Sequence, residues 1–403
     1  MSIKLLSISS TYSGYLESFY KKHTDTSLLT YNQHYSLLIN ETTEFAGAYT
    51  RNFRKLGIDA TCVIANDTVL QNKWKSENNK TLKENSDILF AQIESFKPDI
   101  LWIENLNYTD NSWFLKVRKV LISIKHIIAY HCAPYNKLTL DKLKNADFVI
   151  TCTPGLKITL ENEGIKTFLV YHGFDSDLLT RIETNRKEPV RNLVFSGSLV
   201  TGGSFHNSRI ELIEKIILQN VGLSLYVTLE NKYKIIAKQI LYSLSELSKK
   251  MGMEKLTDKI PVFEYGRSRV KGYSDYLLKS NNTPLYGIDM YNLFNTSKIV
   301  LNIHIGVAGD YAGNMRLFEV TGMGSCLLTD NKKNMSELFD VDKEVVVYDS
   351  PEDCIRKIKW LLENDEERIK IARAGQKKTL ESHTVEARCK NIINIINNQN
   401  NLS

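Results

Sequence analysis

The sequence predicts an α/β protein of two lobes, each built on a mainly parallel sheet. Three observations carry this expectation. Short apolar runs alternate with longer amphipathic segments, the pattern of βαβ units. The alternation stops at a polar stretch with a proline, residues 184–189, and then restarts. The length, 403 residues, suits two or three domains at roughly 100–200 residues each. The expected units are residues 1–185, residues 190–385 and a C-terminal helix or tail, residues 386–403.

Residues 3–9 form the first short apolar run. Residues 45–56 space Phe45, Ala48, Tyr49, Phe53 and Leu56 as one helical face, and Gly57 ends it. Strands are then expected at 60–65, 100–104, 125–130, 148–152 and 167–171, with a helix at 87–96 that stops before Pro98. In the second half, strands are expected at 192–197, 223–228, 299–304, 325–329 and 344–348. Helices are expected from about 208 to 219 and from 232 onward. Ser350-Pro351-Glu352-Asp353 reads as a helix start, with serine as N-cap, proline at N1 and acids in the first turn. Two amphipathic helices follow, broken near Asn364-Asp365, and the asparagine-rich end from residue 391 is expected to fray.

Composition excludes several classes. With 42% hydrophobic residues and a net charge of +6, the chain can bury a large core and is not disordered over most of its length. The positive charge is spread rather than clustered, so nucleic acid is not an expected partner. Six cysteines lie far apart with no CxxC pair. They read as reduced, buried thiols of a cytoplasmic protein, since a zinc site or disulfide framework calls for tighter spacing. The N-terminus reads as a strand, not a signal peptide. No apolar run reaches the roughly 18 residues of a membrane span.

In open parallel sheets, ligands bind beyond the carboxyl ends of the strands. Two segments there draw notice. The first, residues 195–203, puts Gly197 and Ser198 in an expected Gly-rich turn whose amides suit phosphate. It is neither GxGxxG nor a P-loop. The second follows the strand that ends at His304. Its loop carries Gly313 and Asn314, and a helix from about Asn314 places Arg316 and Glu319 three residues apart on one face. An arginine fork grips phosphate oxygens, and a carboxylate accepts vicinal ribose hydroxyls. The alternative is a plain Arg316–Glu319 surface ion pair.

Residues 286–383 resemble the C-terminal region of GT-B glycosyltransferases, especially the CgeB-like (spore maturation protein-like) group and the group 1 family. The resemblance rests on Tyr286-Gly287-Ile288, residues 297–304, Arg316-Leu-Phe-Glu319, Gly322, Gly324, residues 344–348, Ala374-Gly375, Ser382-His383-Thr384 and Arg388. Tyr171-His172-Gly173-Phe174-Asp175 is similar to the turn before the hinge in such enzymes. It implies two facing Rossmann-like domains, a nucleotide-sugar donor on the second, Glu319 at the ribose, and diphosphate held by amides near Gly197, Ser198 and residues 309–316. The uridine nucleotide is expected ahead of the guanosine one. Many retaining relatives carry a second glutamate eight positions before this one; here Tyr311 stands there.

His131, after the strand at 125–130, is the expected catalytic base, with Glu104 and Glu44 as rivals. His304 is an expected diphosphate contact, and Tyr12-Ser13-Gly14 is expected on the acceptor side. Asp175-Ser-Asp177 and Asp340-Val-Asp342 are expected in turns rather than on a metal. No metal and no cofactor is expected, and the lobes are expected to close about Pro189. The acceptor expected is a bacterial surface glycan, a lipid-linked precursor or a protein, reached in the cytoplasm or at the inner face of the membrane. Alternatives with the same fold are a sugar-nucleotide epimerase and a phosphorylase. A non-catalytic nucleotide- or glycan-binding protein is the alternative from another class.

Overall fold

The computed structural model describes residues 3–82, 84–182, 189–201, 204–252, 269–304 and 309–400. Twelve strands occur among them, in two all-parallel sheets of six. The first sheet holds β1 (Lys4–Ser9), β2 (Asp59–Ile64), β3 (Ile100–Ile103), β4 (His126–Tyr130), β5 (Phe148–Thr151) and β6 (Thr167–Leu169), in the order β2-β1-β3-β4-β5-β6. The second holds β7 (Arg191–Leu199), β8 (Leu223–Leu229), β9 (Asn281–Asn282), β10 (Ser297–Asn302), β11 (Cys326–Asp330) and β12 (Val346–Tyr348), in the order β12-β11-β10-β7-β8-β9. Both orders reverse direction once, between β1 and β3 and between β7 and β10. Such reversals open a crevice at the strand ends.

The strands are continuous apolar runs because helices cover both faces of each sheet. Leu5, Leu6, Ile8, Leu101, Trp102, Ile127 and Ile128 are buried in the first lobe, and Leu193, Val194, Ile299, Val300, Leu301, Leu327 and Leu328 in the second. Helix starts follow capping chemistry. Ser350 accepts from the Asp353 amide with Pro351 at N1, and Thr153 accepts from the Leu156 amide with Pro154 at N1. No described helix is long and apolar enough to cross a membrane.

Three expectations are corrected. Gly197 and Ser198 do not form a turn. β7 runs through them to Leu199, in register with Val227 and Thr228 of β8. Beyond Val194, β7 outruns its pairing with β10, so residues 195–199 are laddered on the β8 side only. The helix expected near Asn314 begins at Arg316, and Asn314 stays in the loop. The end of the chain does not fray over its asparagine-rich part: Val385–Asn400 is a helix. Its Val385, Cys389, Ile392 and Ile396 form one apolar stripe packed on Tyr49, Phe53, Ile128, Ile150 and Val170 of the first lobe. Gly202 and Gly203, and residues 184–188 of the linker, lie outside the described residues.

The chain passes from one lobe to the other at two described segments, near 174 and near 384, and these are tied together. The Phe174 amide donates to the His383 carbonyl at 2.8 Å, and the Val385 amide donates to the Phe174 carbonyl at 2.9 Å. Phe174 is fully buried in the second lobe's core, while Asp175 pairs with Arg51 of the first lobe at 2.5 Å. A Cβ on Gly173 would lie 2.8 Å from the Thr384 and Val385 backbone. Only glycine lets the two segments approach so closely. His383 and Arg388 serve the same junction. Arg388 Nη2 donates to His383 Nδ1 at 2.7 Å, and its Nε donates to the His172 carbonyl at 3.0 Å. Burial pushes the His383 pKa down to about 4, so the ring is neutral and its Nε2 donates to the Leu338 carbonyl.

Gly173→Ala should destabilise the protein by about 1–3 kcal/mol, the usual range for forcing a methyl into a packed site. Thermal unfolding measures this; an unchanged melting temperature would mean that the junction yields without strain.

Candidate functional site

A cavity of about 530 Å³ lies between the two lobes. Its walls come from the segments just beyond β1, β4, β5 and β10 and from the overhanging end of β7, the crevice positions of both sheets. The first lobe contributes Tyr12, Ser13, Thr43, Glu44, Cys132 and Cys152 among others. The second contributes Ser196, Gly197, Ser198, Arg209, Asn302, Gly313, Asn314, Arg316 and Glu319.

Six of the residues singled out in the second half therefore meet in one place: Gly197, Ser198, Gly313, Asn314, Arg316 and Glu319. Arg316 and Glu319 do form an ion pair, Nη1 to Oε2 at 2.8 Å, but inside the cavity rather than on an outer face. The Arg316 guanidinium lies 4.6 Å from the Phe294 ring centroid, and its Nη2 reaches the Ser196 carbonyl at 3.3 Å. Tyr291 donates its hydroxyl to Glu319 Oε1 at 3.1 Å. The Asn314 side chain donates to Asn302 Oδ1 at 2.7 Å, which fixes the loop to the end of β10. Gly313 sits where a Cβ would come 2.5 Å from the Cys152 carbonyl, so this loop closes tightly on the first lobe.

The other candidates lie elsewhere. His304 is not among the lining residues. Its Nδ1 pairs with Asp330 at 2.7 Å, and its own amide donates to the same carboxylate at 2.9 Å. Burial alone would raise the Asp330 pKa, but the hydrogen bonds and charge of His304 outweigh it and hold it at about 2. His131 does not line the cavity either. Side chains alternate along β4 and just past it, so Cys132 faces the cavity and His131 turns to Tyr135, ring centroids 6.3 Å apart. Burial lowers its pKa. Glu104 lies off the lining, held by the Ser9 hydroxyl and, at 3.4 Å, the Ser10 amide; burial raises its pKa to about 7. Asp175 and Asp177 are taken by Arg51 and Lys55, and Asp340 by Lys343.

Glu44, the third acid weighed, does line the cavity. It accepts the Tyr12 amide at 3.0 Å. Burial raises its pKa to about 8, and the charges of Glu104 and Glu319 push the same way against the amide bond.

Sequence reasoning missed Arg209. It stands in the helix Ser204–Ile217 that follows β7 and reaches back to the strand ends. Its Nη1 donates to the Ser198 carbonyl at 3.0 Å, and Nη2 donates to the Ile303 carbonyl. Nε is buried without a hydrogen-bond partner, and no carboxylate pairs with Arg209 among the described residues. Burial lowers its pKa to about 10, still far above neutrality. The available signal was only its place early in the helix that follows β7.

Comparison with known proteins bears on the fold. Residues 249–394 match the family profile described as glycosyl transferase-like. No curated protein sequence matches the chain. Among solved structures, the sucrose-phosphate synthase of Thermosynechococcus elongatus is similar at a TM-score of 0.56 and 9% identity, covering 100% of both chains. HepE of Anabaena, in complex with UDP-glucose, is similar at 0.53 and 10% identity, covering 98% of this chain and 100% of that one. A candidate UDP-N-acetylglucosamine 2-epimerase of Listeria monocytogenes is similar at 0.51 and 15% identity, covering 100% and 98%. At these identities the likeness is one of fold: the chain has the GT-B architecture of two facing Rossmann-like domains.

A carboxyl whose pKa is higher folded than unfolded binds its proton more tightly in the folded state. The stability tied to Glu44 is therefore intact below about 4.5 and lost as pH rises through about 8. Glu44→Gln removes this dependence. Its melting temperature should gain on that of the natural protein between about pH 5 and about pH 9. Parallel curves across that range would place the titration elsewhere.

Proposed function

We propose that the protein is a glycosyltransferase that moves a sugar from a nucleoside-diphosphate donor to a hydroxyl of a glycan, lipid-linked glycan or protein acceptor. The observation that carries this reading is the charge arrangement of the interlobe cavity. Arg209, with no acid partner among the described residues, and Arg316 stand on one wall, and Glu44 stands on the other. The glycosyl transferase-like match over residues 249–394 supports it.

In this reading the donor lies along the second lobe. Arg209 and Arg316 hold the pyrophosphate and offset the charge that grows on it as the glycosidic bond breaks. Fixed donors of this kind act strongly in a site that excludes water. Glu319 faces the ribose hydroxyls. Two guanidinium groups fill the role of a divalent cation at the phosphates, so nucleotide affinity should be insensitive to EDTA. Tyr12, Ser13 and Thr43 line the acceptor side, where the exposed ring of Tyr12 offers a face for a sugar. In this reading Glu44, rather than His131 or Glu104, takes the acceptor proton, which its position on the cavity wall supports. A base must be ionised, so turnover should rise with pH and level off above about 8.

Calorimetry with UDP, GDP, ADP and CMP tests the donor site. One nucleotide, UDP first, should bind clearly better than the others, and absence of binding to all four defeats the reading. Arg209→Ala should weaken that binding by about 1–3 kcal/mol, the scale of a charge-assisted hydrogen bond. Glu319→Ala is best read with the nucleoside alone, because losing the carboxylate also frees Arg316 for phosphate.

Glu44→Gln should keep nucleotide affinity while turnover falls by roughly 10²–10⁴-fold. Full activity in that variant would leave the base unassigned to Glu44. Donor consumed and converted without any acceptor would favour the epimerase reading.

A further inference from the structure

One cluster that lines the cavity has no part in the proposed transfer. β4 and β5 run parallel with Tyr130 opposite Ile150. Cys132 and Cys152 each lie two residues further along, so equal extension of the two strands places them side by side, and both line the cavity. His172 follows β6, the next strand, and lines it too. Three neighbouring strand ends thus bring two thiols and an imidazole together. One ligand atom from each lies within 4.8 Å of the other two. The convergence is invisible in the spacing of the sequence, where 20 residues separate each member of the set from the next.

We propose that Cys132, Cys152 and His172 form a site for a thiophilic divalent cation, zinc foremost, with its fourth coordination position open to the cavity. Two sulfurs and one ring nitrogen are a soft donor set suited to zinc and poorly suited to magnesium or calcium. Zinc–sulfur bonds of about 2.3 Å and zinc–nitrogen bonds of about 2.0–2.1 Å put tetrahedral ligand atoms roughly 3.5–4 Å apart, within reach of small side-chain rotations here. The imidazole is also held from behind. Tyr130 Oη lies 3.1 Å from His172 Nδ1, a contact that orients the ring; with it kept, Nε2 would be the nitrogen that binds the ion. Three protein ligands with one open position is the arrangement of zinc sites that act on a ligand, whereas purely structural sites take four. Binding releases the thiol protons and involves no change of redox state. The three ligands all come from the first lobe, whereas Arg209, Arg316 and Glu319 come from the second.

Titration of the full chain with Co²⁺ and Zn²⁺ under reducing conditions tests the site without reference to activity. One Co²⁺ per chain should give a thiolate-to-cobalt charge-transfer band and the strong ligand-field bands of a tetrahedral ion, and Zn²⁺ should displace it. Cys152→Ser should cut the charge-transfer band to about half, since one of two thiolates is lost. Tyr130→Phe should keep the band but weaken affinity about 10–100-fold, the effect of losing a group that orients a ligand. In the natural protein, Zn²⁺ should protect Cys132 and Cys152 from alkylation, as mapped by mass spectrometry. The proposal is overturned by absence of metal binding, by an unchanged band in the Cys132→Ser/Cys152→Ser double variant, or by protection at other cysteines. A Cys132–Cys152 disulfide that forms in air, with no metal affinity once reduced, also counts against it. Should a variant fail to fold, the alkylation map of the natural protein decides by itself.

Discussion

The architecture depends on the hydrogen-bonded junction of residues 173–175 with residues 383–385. A cleft between two lobes has a defined shape only if the segments that join them hold a fixed relation. Here two backbone hydrogen bonds, the missing side chain of Gly173 and the buried ring of Phe174 supply that relation. Asp175 extends it, because its carboxylate is almost fully buried and meets both Arg51 and Asn52 of the first lobe. A buried charge with one partner removed is costly, so this junction resists piecemeal change.

The cavity inherits its character from the two sheets. Each reversal of strand order leaves the ends of two adjacent strands uncovered, and the two crevices face each other. The β7 overhang adds a second feature. Residues 195–199 ladder with β8 alone, so the carbonyls of Ser196 and Ser198 are available to orient Arg316 and Arg209. The two guanidinium groups are thus placed by backbone, not by opposing acids, apart from the Glu319 contact to Arg316. That keeps the wall positive, whereas a neutralised pair on each arginine would have cancelled its field at short range.

Much of the fold was legible because it follows from period and punctuation. Alternation of apolar runs located the main strands, and Gly57, Pro98 and the Ser350-Pro351 cap marked element ends. What misled was composition read without period. The asparagines after residue 391 suggested fraying, yet Val385, Cys389, Ile392 and Ile396 keep helical spacing and decide the outcome. At the site, the Arg316–Glu319 pair could be found because its i,i+3 spacing on a helix after a strand is a local pattern. Arg209 and Glu44 carry no such signature, and their importance lies in where the lobes bring them. His131 shows the opposite failure: it has a suitable side chain at a strand end, but one residue out of phase with the cavity. The Cys132, Cys152 and His172 set is wholly a product of β4, β5 and β6 lying side by side.

The helix Val385–Asn400 makes the first lobe discontinuous in sequence, since a piece of its outer layer is supplied after the whole second lobe. During synthesis, Tyr49, Phe53 and the neighbouring face of β4 and β5 have no cover from this helix until the ribosome has passed residue 396. Domains otherwise fold as units in the order they emerge. Here the half made first is the half finished last, and its apolar flank receives this cover only after the other half has been translated.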